Sequence, residues 1–255
     1  MAHPLDGVRL KYQRAQHHLN TLQAEFDAFG RDAYSFQHVV EREGREHVYR
    51  VNRVRHSPPE WGPIIGDCLH NAASALDQLA YQLAILRTGK LPSRLARDVH
   101  FPIYPSSREF WVNLQKLEGI GPDLLAPIER LQPYHGIHGP DYHWLMILKR
   151  LSNSDKHRML HTGGYRFGGT AHYRPDSLID TILPTGPLKL GAELGRFVFD
   201  PPDSEVDVEP SFTVHVAFKD TPLADGIDAW AMLNMICIRV EAVVDEFRPL
   251  FRSAQ

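Results

Sequence analysis

The segment PIIGDCLHNAASALDQLAYQLAILR, residues 63–87, decides the fold. Ile64, Ile65, Cys68, Leu69, Ala72, Ala75, Leu76, Leu79, Ala80, Leu83 and Leu86 recur in short helical steps, so a helix over Pro63–Arg87 presents a broad apolar face that needs several packing partners. Pro63 suits a first helical turn, where its missing N–H is not needed, and Gly89 and Pro92 close the element. A second pattern runs along the same helix. Asp67, His70, Asn71, Ser74 and Asp77 also step by three or four residues, and Tyr81 extends them into a polar stripe. An apolar helix with such a stripe predicts a helical bundle with a polar seam.

Outward from this segment, Val8, Tyr12, Ala15, Leu19, Leu22, Phe26 and Phe29 alternate four- and three-residue steps and predict a helix over Val8–Phe29, ended by Gly30. The β-formers from Tyr34 to Val54 flank Glu43-Gly44 and predict a hairpin. From Ser93 to Gly139 several prolines leave room only for short amphipathic pieces, around Phe110–Leu117 and Pro122–Leu131. A helix follows over Tyr142–Leu160. Gly163-Gly164 and Gly168-Gly169 lack the strand-to-helix context of a phosphate loop and read as turns at strand edges. Strands are expected at Gly164–Tyr173, Leu178–Leu183, Arg196–Phe199 and Ser211–Phe218, the last from the alternation of Phe212, Val214, Val216 and Phe218 with Thr213, His215 and Ala217. A last helix spans Asp228–Phe247. The expected fold is a single α+β domain over residues 1–255: a helical bundle with an inserted hairpin and an antiparallel β-region before the C-terminal helix.

Composition narrows the function. With 43% hydrophobic and 23% charged residues the chain has ordinary globular proportions. A net charge of -3 gives it no general basic field for nucleic acid, so any such contact must be local. Cys68 and Cys237 lie in apolar helical patterns and read as buried thiols of a reducing compartment. No cationic stretch with an apolar run opens the chain, and no segment approaches a membrane span, so a cytoplasmic location without membrane contact is expected.

The densest polar cluster is Arg150, Asn153, Asp155, Lys156, His157 and Arg158, directly after an apolar helical segment. If the helix continues through His157, Arg150 and His157 lie two turns apart with Asn153 between them, and the three share a face. An imidazole beside cationic groups is what metal-free phosphodiester cleavage uses: the histidine moves a proton while arginine or lysine holds the charge growing on phosphorus. The same residues also suit a plain helix end, where Lys156, His157 and Arg158 complement the negative C-terminal dipole. Asp67 or Asp77 could orient His157, or pair with Arg150 or Arg158, in an internal salt-bridge network. His157 and His161 stand one helical turn apart and form an alternative metal pair, although no glutamate follows His157 as on a zinc-protease helix. Paired carboxylates for glycoside chemistry and a nucleophile elbow are absent from the sequence, and no cofactor is expected.

The stretches Ile65-Gly66-Asp67-Cys68-Leu69-His70-Asn71 through Ser74-Ala75-Leu76-Asp77, Phe101-Pro102-Ile103, Leu131-Gln132-Pro133-Tyr134 and Asn153-Ser154-Asp155-Lys156-His157-Arg158 together resemble a widespread family of bacterial proteins of uncharacterised activity. The resemblance covers nearly the whole chain and implies an architecture without naming a reaction. One departure is Ala73, where that family often carries arginine. More distantly the helical part resembles HEPN domains, dimerising bundles of which many cleave RNA without metal, with an arginine followed after four to six residues by a histidine. Arg150 and His157, six residues between them, match the outer limit of that spacing, while Leu151 stands where a polar residue is usual. The resemblance implies a homodimeric, metal-independent endoribonuclease of a bacterial defence or toxin type, with His157 as general acid or base, Arg150 as phosphate holder and RNA as partner. The competing expectations are a non-catalytic binding protein, in which the Asp67–Asp77 stripe (Asp67, His70, Asn71, Asp77) and Asn153–Arg158, with Asp155 and Lys156, form a buried network or bind a small anion, and a divalent-metal-binding bundle on His157 and His161.

Overall fold

The alternating four- and three-residue steps of the first segment are realised in α1, Asp6–Gly30, where Val8, Ala15, Leu19, Leu22, Phe26 and Phe29 are all buried. The computed structural model describes residues 3–90, 99–113, 120–173, 177–202, 208–221 and 224–251. The hairpin follows as β1, Tyr34–Glu41, and β2, Glu46–Val54, with Arg42 and Glu43 at positive φ in the turn. Next come α2, Trp61–Thr88, a short α3, Ser107–Val112, and α4, Pro122–Arg130. Ser106 caps α3 by accepting the Glu109 N–H at 3.2 Å, a serine three residues before a glutamate as a capping box requires. Two single 3₁₀ turns, Pro133–His135 and Pro140–Tyr142, lead into α5, Trp144–His157. The strands β3 (His161–Tyr173), β4 (Leu178–Ile182), β5 (Gly186–Pro187), β6 (Glu193–Phe199) and β7 (Val208–Lys219) precede α6, Ala229–Phe247, and a 3₁₀ turn over Arg248–Phe251.

The chain is therefore α+β with two antiparallel sheets, ordered β1-β2-β6-β4 and β5-β3-β7. Its described residues divide into two compact units. The first holds residues up to Thr21, Gly62–Leu160 and the chain from Ala231 onward. Here the broad apolar face of α2 is buried as the spacing predicts: Ile65, Cys68, Leu69, Ala72, Ala75, Leu76, Leu79 and Leu83 are each at most 1% exposed. Tyr12 on α1 donates to Glu241 on α6 at 2.8 Å, and the Cys68 thiol donates to the Ala15 carbonyl at 3.4 Å. Both cysteines are buried and free. Among the described residues no helix is long and apolar enough to cross a membrane.

The second unit, Leu22–Trp61 and His161–Trp230, contains both sheets. Its core gathers Tyr49, Val51, Leu194, Phe197, Phe199 and Val208. Trp61 closes on the end of α1, edge-on to Phe26 at 4.6 Å and Phe29 at 5.1 Å, and its indole N–H donates to Glu25 at 2.5 Å.

Three expectations need correction. Gly163-Gly164 and Gly168-Gly169 do not mark strand edges; both pairs lie inside β3, which pairs with β7 from His161 to Tyr173. At Gly169 the reason for glycine is close approach: a Cβ there would stand 2.7 Å from the Ser211 carbonyl oxygen. The helix expected over Tyr142–Leu160 is shorter, because Tyr142 belongs to a 3₁₀ turn and the Arg158 backbone turns extended at φ -158°. The helix expected to reach Leu117 ends at Val112, and residues 114–119 lie outside the described residues.

Candidate functional site

Within the first unit, α2, the segment Val99–Tyr104 and α5 line an open pocket of about 370 Å³. Sequence periodicity explains the α5 side. Lys149, Ser152, Asn153 and Lys156 recur at three-, one- and three-residue steps, which place them on one helical face. Leu148 continues that face into the apolar floor, and Leu145 and Leu151 beside it are buried. From α2 come Ala73 and Asp77, four residues apart and hence one above the other.

The Val99–Tyr104 segment has no periodicity of its own and is held by side chains from elsewhere. Asp77 Oδ1 accepts the Phe101 backbone N–H at 2.9 Å. Gln132, fully buried, donates through Nε2 to the Pro102 carbonyl at 3.0 Å and to the Ile128 carbonyl at 3.1 Å, and its Oε1 accepts the Tyr104 N–H at 3.1 Å. Lys149 Nζ donates to the Ile103 carbonyl at 2.8 Å and lies 5.7 Å from the Tyr104 ring centroid, a cation–π distance. Four backbone polar groups of this irregular segment, the Phe101 and Tyr104 N–H and the Pro102 and Ile103 carbonyls, are thus satisfied by Asp77, Gln132 and Lys149. The adjoining 3₁₀ turn is pinned in the same manner, for Tyr134 donates to Glu129 Oε1 at 2.6 Å and His135 Nε2 lies 3.0 Å from the same oxygen. The Tyr134 hydrogen bond, aided by His135, holds the Glu129 carboxyl below its ordinary value despite burial.

Chemically the pocket sets two ammonium groups, Lys149 and Lys156, against one carboxylate, Asp77. His100 Nδ1 stands 3.5 Å from Asp77 Oδ2. Ser152 is 8% exposed, whereas Asn153 and Lys156 are exposed and open to solvent. Phe101, Pro102, Ile103 and Tyr104 supply an apolar wall. Ala73 lines this pocket too.

The sequence-predicted residues are distributed as follows. Asp77, Asn153 and Lys156 line the pocket. Arg150 points elsewhere: its Nη2 pairs with Asp141 Oδ1 at 2.5 Å, both side chains about half exposed. His157 is the exposed last residue of α5, and Arg158 is its C-cap, donating its backbone N–H to the Ser154 carbonyl at 2.9 Å. Arg150 and His157 do remain on one helix, but their line lies about 100° around it from the pocket face, given 3.6 residues per turn.

The internal salt-bridge network is corrected, since among the described residues neither Asp67 nor Asp77 pairs with Arg150, His157 or Arg158. Asn71 instead bonds back to the Asp67 carbonyl of its own helix at 2.8 Å, and His70 Nε2 lies 3.4 Å from Ser74 Oγ. Asp155 packs its carboxylate against Gly66, where any Cβ would fall on its oxygens. Burial, and next the Asp67 carboxylate, raise the Asp155 pKa above the ordinary value, with His70 opposing. The metal pair is corrected as well: His157 ends α5 and His161 begins β3, so they do not share a helix. Among the described residues no three His, Cys, Asp or Glu side chains gather where a metal ion could sit.

Sequence reasoning missed Lys149, Ser152, His100 and Tyr104 as site residues and gave Gln132 no role. The signal for the α5 members was present in the spacing 149, 152, 153, 156. Comparison with family models, curated proteins and solved structures finds no match to this chain.

Proposed function

We propose that this chain is a binding protein for a small anion, which it takes into the α2–α5 pocket through Lys156 and Lys149 with Asn153 and Ser152. The observation that supports this reading is convergence. Residues 73–77, 100–104 and 149–156, far apart in sequence, meet at one pocket whose lining holds two lysines and one aspartate. Its volume lies in the range of small-molecule sites, and an apolar wall with a few placed polar groups is the usual make-up of such sites. Lys156 makes no ion pair among the described residues and is exposed, so its charge is available to a ligand. Calorimetric titration with inorganic phosphate and with acetate tests this reading. Saturable binding that weakens about tenfold in Lys156→Ala, the size of one charge-assisted hydrogen bond, is expected. Absence of saturable binding, or binding indifferent to Lys156, contradicts it.

A second reading, a HEPN-like, metal-independent ribonuclease of bacterial defence working as a homodimer, draws on the persistence of α5 through His157, which keeps Arg150 and His157 two turns apart on one helix. The Asp141 pair on Arg150 and the distance of both residues from the pocket face weigh against it. Cleavage of a mixed RNA substrate in EDTA decides it: activity lost in His157→Ala supports the reading, and no cleavage by the folded wild type ends it.

A further inference from the structure

Resting on the anion-binding reading, we propose that the ligand is a phosphorylated sugar, its phosphate on the lysine side of the pocket and its hydroxyls on Asp77 and His100. A simple anion can meet Lys149, Lys156, Asn153 and Ser152 but brings no donor to Asp77 Oδ2, the oxygen that the Phe101 N–H does not use, and a carboxylate in an anion pocket repels such a ligand. Asp77 has Oδ1 engaged by the Phe101 N–H at 2.9 Å, while Oδ2 stands 3.5 Å from His100 Nδ1, too long for a firm hydrogen bond. The side chains of Asp77 and His100 are 44% and 68% exposed. The ligand group that meets them must donate to a carboxylate, and it gains further by accepting from an imidazole N–H. A hydroxyl does both and suits either tautomer of His100, whereas an ammonium can only donate.

The wall between these two ends fits the same class. Phe101, Pro102, Ile103 and Tyr104 offer apolar surface to the C–H face of a sugar ring, and the Tyr104 ring is already polarised by Lys149 at 5.7 Å. The lysines suit phosphate as point charges, and among the described residues no arginine lines the pocket.

The test is isothermal titration of the wild type, Asp77→Asn and Lys156→Ala with ribose 5-phosphate, glucose 6-phosphate and inorganic phosphate. Asp77→Asn keeps an oxygen for the Phe101 N–H, and near-UV circular dichroism of each variant verifies the fold. At least one sugar phosphate is expected to bind about tenfold tighter than inorganic phosphate, the worth of one hydrogen bond to a charged group. In Asp77→Asn that advantage shrinks toward unity while inorganic phosphate binds as well as before or better, and in Lys156→Ala all three probes weaken together. If inorganic phosphate binds as tightly as both sugar phosphates, or if their advantage survives Asp77→Asn, the sugar-phosphate proposal is overturned while the anion reading stands. If none of the three binds the folded wild type, both are overturned.

Discussion

Replacing Gln132 by methionine removes three hydrogen bonds at nearly constant volume and should loosen the Val99–Tyr104 segment. The magnitude follows from what is left behind. The Ile128 carbonyl keeps a second donor in the Leu131 N–H at 3.3 Å, so it is not orphaned. The Pro102 carbonyl and the Tyr104 N–H lose the partner that Gln132 gave them. An unsatisfied buried group costs about 1–3 kcal/mol, so two cost roughly 2–6 kcal/mol. Because the segment can move toward water, the lower half of that range applies, about 3 kcal/mol. For a chain of this size that corresponds to a fall in Tm of about 6–12 °C if unfolding is cooperative. Urea denaturation with the slope unchanged measures the loss of stability, and hydrogen exchange at the Tyr104 amide locates it. Gln132→Met within about 0.5 kcal/mol of wild type, with the Tyr104 amide still protected, would refute the claim that Gln132 holds this wall of the pocket.

Other expectations concern the neighbouring contacts. Gly66→Ala should cost about 1–3 kcal/mol, since the new methyl meets the Asp155 carboxylate, and Asp155→Ala combined with it should recover part of the loss in a double-mutant cycle. Asp155, with its pKa raised in the folded state, destabilises when ionised. The folded state therefore gains stability as pH falls through that raised value, and Asp155→Asn should raise Tm at pH 7 by an amount that shrinks toward pH 4. A constant difference across that range would show that burial of the charge is not the cause. In the sheet unit, Phe197→Ala, at a fully buried position, should cost about 3–5 kcal/mol in urea unfolding, and a loss below about 1 kcal/mol would contradict the packing.

What the sequence made legible follows from where periodicity dominates. The spacings of Val8–Phe29 and Pro63–Arg87 are long and regular because one face of each helix is buried along its length, and α1 and α2 have the expected character within a few residues. The hairpin was equally plain from Glu43-Gly44, and the structure puts the turn there. Strand ends were harder: the two-residue β5 carries no pattern, and Gly168-Gly169 in β3 looks like a turn until the closeness of β7 to Gly169 is seen. At the site, Asp77, Asn153 and Lys156 were visible because helical spacing points to them. His100 and Tyr104 were not, because their segment owes its shape to Gln132, Asp77 and Lys149 rather than to any local preference. On α5 the cluster of charges drew attention to Arg150 and His157, although the face that lines the pocket runs through Lys149 and Ser152.

The most direct measurement is an amide chemical-shift map of the ¹⁵N-labelled chain during titration with inorganic phosphate. Shifts that saturate together at residues 100–104 and 149–156, and are small over residues 161–221, are the predicted result. Saturating shifts centred on any other part of the chain, with the Val99–Tyr104 and α5 amides unmoved, would contradict a pocket built to hold an anion.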